Sequence, residues 1–121
     1  MTRDERLINV ALKIARKSEH KFPMGAIIAL GNRIIALGIN KIRTHPRQIN
    51  YHNDENGQSI HAELDAILSC CNTDGATIYV ARVLSNGTGG MAKPCKSCLK
   101  IIQSAGIKKI VYTTSTGIET L

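Results

Sequence analysis

The sequence has very few large aromatic side chains and no long apolar run. It contains no tryptophan and one phenylalanine, so a core must be built from isoleucine, leucine, valine and alanine. No segment reaches the roughly 18 apolar residues that a membrane span requires, and the residues after Met1 lack the pattern of a signal peptide. We therefore expect a cytoplasmic protein with no membrane partner, folded as a single domain over residues 1–121.

Acidic residues are also scarce. Against 9 Asp and Glu stand 16 Lys and Arg, a formal net charge of +7 that would attract nucleotides or nucleic acids. Of the four cysteines, Cys95 and Cys98 have the spacing of metal ligands. Reduced thiolates in a reducing compartment explain that spacing better than disulfides of a secreted protein do.

Hydrophobic periodicity predicts that helices and strands alternate along the chain. We expect helices at residues 4–18, 60–71 and 95–105. We expect strands at residues 24–30, 33–38, 76–83, 109–113 and 118–121. The polar segment 40–59 and the Gly-rich segment 85–90 are expected to be loops.

The order of these elements predicts an α/β fold of three layers. In such an α/β/α arrangement helices cover both faces of a mixed sheet, here with four to five strands. The first two strands flank Gly31-Asn32, which is typical of a tight hairpin turn. The last strand must run antiparallel to its predecessor if the two pair, because their connection is too short for a crossover.

Two short segments carry the residues from which chemistry can be predicted, His61-Ala62-Glu63 and Pro94-Cys95-Lys96-Ser97-Cys98. One imidazole and two thiolates make three ligands for a tetrahedral Zn²⁺ and leave the fourth position open for water. Structural zinc sites usually close all four positions with protein ligands. The sequence therefore predicts a catalytic zinc site held by His61, Cys95 and Cys98.

The pattern His-x-Glu followed by Pro-Cys-x-x-Cys is the known signature of zinc-dependent nucleobase deaminases. With it, residues 5–113 resemble the cytidine and deoxycytidylate deaminase superfamily, and the segment from Cys95 through Tyr112 is most similar to the deoxycytidylate branch. The resemblance implies a cytidine deaminase-like fold, a hydrolase acting on cyclic amidines, and a homo-oligomer. The chain departs from that branch in its Gly-rich insertion at residues 84–93, whose role stays open, and within residues 1–121 we do not expect the further helix and strand of that branch.

Glu63 lies beside the predicted ligands without being needed as one. Zinc lowers the pKa of a bound water toward about 7, which supplies hydroxide to attack the amine-bearing carbon of the ring. Glu63 is expected to be the catalytic proton shuttle, carrying a proton from that water to the ring nitrogen and then to the leaving amine.

The resemblance also implies contacts with the substrate. Gly25-Ala26 resembles the Gly-Ala that precedes the family's substrate pocket, and Asn40 matches the asparagine that holds the sugar. The backbone around Ala62 would hydrogen-bond the pyrimidine edge. Lys41 and Arg43 lie just after Asn40, where they could bind a 5′-phosphate. Alternatively, these two residues belong to an ordinary basic loop that is exposed to solvent and binds no phosphate.

These features predict deamination of a cytosine-bearing nucleotide, dCMP to dUMP with release of ammonia. A deaminase of single-stranded DNA or RNA would also fit the charge of +7, but four aromatic residues are few for stacking flanking bases. A free cytidine deaminase and a zinc-stabilised binding module that has lost catalysis are further alternatives, although the open zinc position and Glu63 argue against the latter. The sequence leaves open which amino-bearing base is bound, how many subunits assemble and whether nucleotides regulate activity.

Overall fold

The computed structural model describes residues 2–20, 22–41, 61–70 and 72–121. Within them, the helices are α1 (Arg3–Ala15), α2 (Ala62–Leu68) and α3 (Lys96–Ser104). The strands are β1 (Met24–Leu30), β2 (Arg33–Ile39), β3 (Thr77–Val83), β4 (Gly89–Gly90), β5 (Lys109–Thr114) and β6 (Gly117–Thr120). No helix in these ranges has the length and apolar character needed to cross a membrane.

The strands form one mixed sheet in the order β2-β1-β3-β5-β6, and β4 pairs with β3. Strand β1 runs antiparallel to both β2 and β3, β3 is parallel to β5, and β6 is antiparallel to β5. Strands β2, β3 and β5 therefore point the same way. Their last residues, Ile39, Val83 and Thr114, lie at one end of the sheet, which we call the carboxyl end. The expected hairpin and the antiparallel last strand are confirmed.

Helices cover both faces of the sheet, which confirms the three-layer α/β/α arrangement. Alternation along the strands separates two cores. Under α1 lie side chains of β1, β3 and β5, namely Ile27, Ala29, Tyr79, Ala81 and Val111. Under α2 and α3 lie the alternate side chains of the same strands, namely Ala26, Ile28, Ile78, Val80, Ile110 and Tyr112.

Two glycines let helices approach the sheet closely. A Cβ built on Gly25 would lie 2.5 Å from the backbone oxygen of Ala11 in α1. A Cβ built on Gly38 in β2 would lie 2.5 Å from the backbone oxygen of Ala62 in α2. Both distances are too short for any side chain, so each helix packs directly against strand backbone. The start of α2 is thereby held against the last residues of β2.

The Gly-rich segment differs from its expected loop. Gly89 and Gly90 form strand β4 and pair antiparallel with Val83 and Arg82. The hydroxyl of Thr113 donates to the Gly90 oxygen at 2.6 Å, which ties β4 to the neighbouring strand β5. A strand of two glycines has no side-chain alternation, so hydrophobic periodicity cannot predict it.

The second helix is shorter in the described residues than expected. It spans Ala62–Leu68, while positions 60 and 71, the expected ends, lie outside the described residues. Most of the expected loop at 40–59, with Arg43, lies outside them as well.

Candidate active site

Two helix starts bring the predicted metal ligands together at the carboxyl end. In the chain, α2 lies between the parallel strands β2 and β3, and α3 lies between β3 and β5. A helix that connects parallel strands runs back along them, so both helices begin at the carboxyl end. His61 caps the start of α2 and Cys95 that of α3, both with extended backbone, and Cys98 lies one turn into α3.

The ligand atoms of these three residues lie close enough to share one ion. The Sγ of Cys98 is 3.3 Å from Nδ1 of His61, and the donor atoms of His61, Cys95 and Cys98 are all within 4.8 Å of one another. Tetrahedral ligands at roughly 2.0–2.3 Å from zinc lie about 3.5 Å apart, so small side-chain adjustments complete the geometry. The donor set of one nitrogen and two sulfurs is the kind that zinc prefers. The residues therefore fit a zinc ion with one position left for a small molecule.

Glu63 lies beside this cluster and is almost fully enclosed. Its side chain is 2% exposed, and Oε1 is buried without a hydrogen-bond partner. Burial raises the pKa of Glu63, against the opposing effects of its own backbone N–H and of nearby His61. A buried carboxylate oxygen without a partner is costly unless a ligand or water supplies one. Because its pKa is raised, the carboxylate accepts a proton more readily than an exposed glutamate does, which suits it to carry a proton.

The thiol of Cys98 is held protonated by its surroundings. A hydrogen bond with Cys95 and burial, together with the charge of nearby Glu63, raise the pKa of Cys98 above its ordinary value. A bound cation reverses this effect because thiolates, not thiols, are metal ligands. Loading the three residues with metal therefore releases protons.

Residues 1–114 match the family described as the cytidine and deoxycytidylate deaminase zinc-binding region. The chain belongs to this family. The match confirms the resemblance predicted from the motifs and identifies zinc as the family's metal. Enzymes of this kind are hydrolases that act on cyclic amidines.

The similarity to curated relatives is spread over several deaminases. The chain is 29% identical over 120 residues to the tRNA-specific adenosine deaminase of Bacillus subtilis, covering 93% of this chain and 62% of that protein. It is 42% identical over 57 residues to the deoxycytidylate deaminase of Enterobacteria phage T2, covering 44% of this chain and 25% of that protein. Overall, it spans between 24% and 62% of the length of the curated relatives that it matches.

Among solved structures, the cytidine deaminase from Burkholderia pseudomallei has a similar fold. The TM-score is 0.72 at 21% sequence identity, and the match covers 100% of this chain and 92% of that one. This likeness confirms the cytidine deaminase-like fold expected from the sequence.

Of the predicted substrate contacts, two lie on the side of the ligands. Ala62 is buried between His61 and Glu63 at the start of α2, and Ala26 lies on the face of β1 that packs under α2. A Cβ on Gly25 would face α1, on the opposite side of the sheet from the ligands, and contact of Gly25 with the substrate stays a prediction. Its lack of a side chain serves helix packing, a role that sequence reasoning missed.

Asn40 directs its side chain into the fold. Its Oδ1 accepts hydrogen bonds from Ser18 Oγ at 2.6 Å and from the Met24 N–H at 2.9 Å, and its Nδ2 donates to the Phe22 oxygen at 2.7 Å. An amide side chain offers four hydrogen-bonding positions, so these contacts use three. Asn40 thus fastens the connection between α1 and β1 to the end of β2. Its contact with a sugar stays a prediction, with one N–H left to make it.

Lys41 is already paired within the protein. Its Nζ donates to Oδ1 of Asp65 in α2 at 2.9 Å, and Oδ2 of the same carboxylate accepts the Ile39 N–H at 3.0 Å. This arrangement joins the end of β2 to α2. Phosphate binding by Lys41 stays a prediction, and Arg43 lies outside the described residues.

Sequence reasoning also missed Arg82 and Phe22, which meet at the carboxyl end. The guanidinium carbon of Arg82 lies 5.2 Å from the centroid of the Phe22 ring, a cation–π contact. The available signal was an arginine inside the otherwise apolar strand Thr77–Val83. The part played by Phe22 depends on a long-range contact and has no local signal.

Proposed function

We propose that the protein catalyses the hydrolytic deamination of a cytosine-bearing nucleotide, with dCMP as substrate and dUMP and ammonia as products. The observation that carries this proposal is the buried, unpartnered Oε1 of Glu63 beside three clustered ligand atoms. His61, Cys95 and Cys98 would hold zinc. A zinc ion bound there would polarise a water molecule and lower its pKa.

Glu63 is the proton carrier of the proposed reaction. Its carboxylate accepts a proton from the attacking water and passes it to the ring nitrogen, while the water oxygen bonds to the amine-bearing carbon. A second proton then moves through the same carboxylate to the amine, the carbon–nitrogen bond breaks and ammonia leaves. Burial of Glu63 supports this role, because the proton stays between substrate and carboxylate rather than passing to bulk water.

The choice of a cytosine nucleotide is supported by the 42% identity with the phage deoxycytidylate deaminase and by the net charge of +7. We keep the backbone at Ala62 and the wall at Gly25-Ala26 as proposed contacts of the base, and Asn40 as that of the sugar. Lys41 and Arg43 are retained as proposed contacts of the phosphate. Assembly into a homo-oligomer and a cytoplasmic location stay predictions.

A second candidate substrate is an RNA or single-stranded DNA. It is favoured by the alignment with a tRNA-specific adenosine deaminase over 93% of this chain, together with the positive charge. Such a substrate would be recognised through its backbone phosphates and flanking bases.

An ammonia-release assay on the zinc-loaded protein tests both candidates. The substrates are dCMP, CMP, deoxycytidine, a cytosine-containing single-stranded DNA, and an RNA hairpin whose loop contains adenosine. We expect turnover of dCMP with conversion to dUMP. Turnover of the polynucleotides alone would replace the first candidate with the second. Release of ammonia from none of the five would contradict deamination as the function.

A further inference from the structure

A groove of about 510 Å³ opens at the carboxyl end of the sheet, the end at which the two helices also begin. Phe22 and Pro23 form one wall, and residues 82–86 form the other. This volume is much larger than a single phosphate and falls in the range of small-molecule sites. None of the contacts proposed above for the substrate lines this groove.

Arg82 lies on the same face of the sheet as the candidate metal ligands. Ile78 and Val80 of β3 belong to the core under α2 and α3, and alternation places Arg82 on that face too. Arg82 pairs with Met24 across the sheet and stands next to the last residue of β3. Since α2 and α3 also begin at the carboxyl end, Arg82 shares both face and end with His61 and Cys95.

The guanidinium of Arg82 makes no polar contact with the part of the chain that the structure describes. Its Nε is buried without a hydrogen-bond partner. The ion pairs found among the described residues join Lys41 to Asp65 and Lys109 to Asp4, and neither involves Arg82. The group is instead oriented by the Phe22 ring, which is 49% exposed. A fixed planar cation with unused donors is suited to bind a phosphate group with two parallel hydrogen bonds.

The wall that orients Arg82 is itself fixed. The Nδ2 of Asn40 donates to the backbone oxygen of Phe22, and the Phe22 N–H donates to Nδ1 of His20 at 3.0 Å. In the wall formed by residues 82–86, Oδ1 of Asn86 accepts hydrogen bonds from the N–H and hydroxyl of Thr88. The amide N–H groups of Asn86 are then left for a ligand. The groove thus offers a cation and an amide donor to a ligand.

We propose that this groove is a phosphate subsite, in which Arg82, oriented by Phe22, binds a phosphate group of the substrate and selects nucleotides over nucleosides. The inference rests on the proposed deamination of a nucleotide. The phosphate is either a 5′-monophosphate, in which case Arg82 replaces Lys41 and Arg43 as its proposed contact, or the phosphodiester next to the target base.

The test compares Arg82→Gln with Arg33→Gln, which removes the same charge at the opposite end of the sheet, where β2 begins. Kinetics are measured on dCMP, deoxycytidine and the cytosine-containing single-stranded DNA. We expect Arg82→Gln to lower kcat/KM about 10- to 100-fold on the phosphate-bearing substrate that the wild type uses, mainly through KM. The loss on deoxycytidine should be smaller, and Arg33→Gln should behave as the wild type.

Loss on dCMP assigns the subsite to a monophosphate, and loss on the DNA alone assigns it to a phosphodiester. An equal loss on deoxycytidine, or an equal loss in Arg33→Gln, would overturn the inference while leaving deamination intact. If the wild type deaminates nothing, the proposed function fails first. Calorimetric binding of dUMP to the same variants then judges the subsite by itself, with weaker binding expected in Arg82→Gln alone. Phe22→Leu, which changes an exposed side chain, should give a smaller loss of the same kind if Arg82→Gln fails to fold.

Discussion

On the face of the sheet covered by α1, the hydroxyl of the enclosed Tyr79 donates to Asp4 Oδ1 at 2.8 Å, and Lys109 Nζ donates to the other carboxylate oxygen at 3.0 Å. On the face covered by α2 and α3, Glu63 Oε1 and Arg82 Nε are buried without partners. These are the two such side-chain atoms in the described residues. An unpartnered buried polar atom costs stability unless a ligand supplies its partner. We infer that the paired polar groups on the α1 face stabilise the fold, whereas Glu63 and Arg82 on the other face are available to a ligand.

Glu63→Gln should show this contrast most strongly. The variant keeps the shape of the side chain but cannot carry a proton, so we expect turnover of the wild-type substrate to fall by about 10²- to 10⁴-fold. Zinc content and the thermal midpoint of unfolding should not fall, since Oε1 makes no hydrogen bond that is lost. Glu5→Gln is the matched control, because Glu5 is an exposed carboxylate in α1 on the other face. Full activity in Glu63→Gln would favour a zinc-stabilised binding module.

The elements around this site follow from sequence to different degrees. The ligand cluster was predictable because His61, Cys95 and Cys98 lie at or near helix starts, and the order of strands and helices brings those starts to one end. The side of the sheet that Gly25 faces could not be predicted. Strand β1 is apolar at every position, so its pattern does not tell which residues face α1.

The groove was beyond prediction for a different reason. It depends on the pairing of Met24 with Arg82 and on the contact of Phe22 with the guanidinium, both of which join distant parts of the chain. Strand β4 depends on a hydrogen bond from Thr113 to Gly90 and likewise has no local signal.

Two glycine substitutions compare helix packing on the two faces of the sheet. Gly25→Ala and Gly38→Ala each place a Cβ against helix backbone, so each should lower the free energy of unfolding by about 1–3 kcal/mol. In Gly38→Ala, the displaced backbone belongs to α2, which carries Glu63, and activity per folded molecule should fall as well. In Gly25→Ala, the displaced helix is α1, and activity per folded molecule should persist.

Denaturant unfolding measures the change in the free energy of unfolding. Turnover divided by the amount of protein that binds zinc measures the activity per folded molecule. Loss of activity per folded molecule in Gly25→Ala would instead support the sequence-based prediction that Gly25 lines the substrate pocket. Unchanged stability in both variants would show that the helices can shift without cost.

Tyr79→Phe tests the hydrogen bonds that join Tyr79, Asp4 and Lys109 on the α1 face. Burial and the hydrogen bond to Asp4 raise the pKa of Tyr79 to about 12, so its hydroxyl is a donor throughout the neutral range. Removing it should lower the free energy of unfolding by about 1 kcal/mol, the typical net value of one hydrogen bond. Turnover of the wild-type substrate should be unchanged. A kinetic effect larger than the loss of stability would mean that the two faces are coupled.

Asp4→Asn should give the smallest effect, and it carries a pH signature. Burial alone would raise the pKa of Asp4, but the hydrogen bonds from Lys109 and Tyr79 outweigh it and hold the pKa below the ordinary value of 3.8. The folded state therefore binds the acidic proton less readily than the unfolded chain does. The stabilisation is fully present above the unfolded pKa and is lost as the pH falls through the folded one.

Because the Asp4–Lys109 pair is partly exposed, with side-chain exposures of 26% and 35%, its contribution at neutral pH should be below about 1 kcal/mol. Urea unfolding of the wild type and Asp4→Asn at pH 7 and at pH 3 measures it. The difference in stability between the two proteins should be smaller at the lower pH, since a protonated aspartic acid and the asparagine that replaces it are both uncharged. A difference in the free energy of unfolding that persists unchanged at pH 3 would show that Asp4 acts through packing and not through its charge.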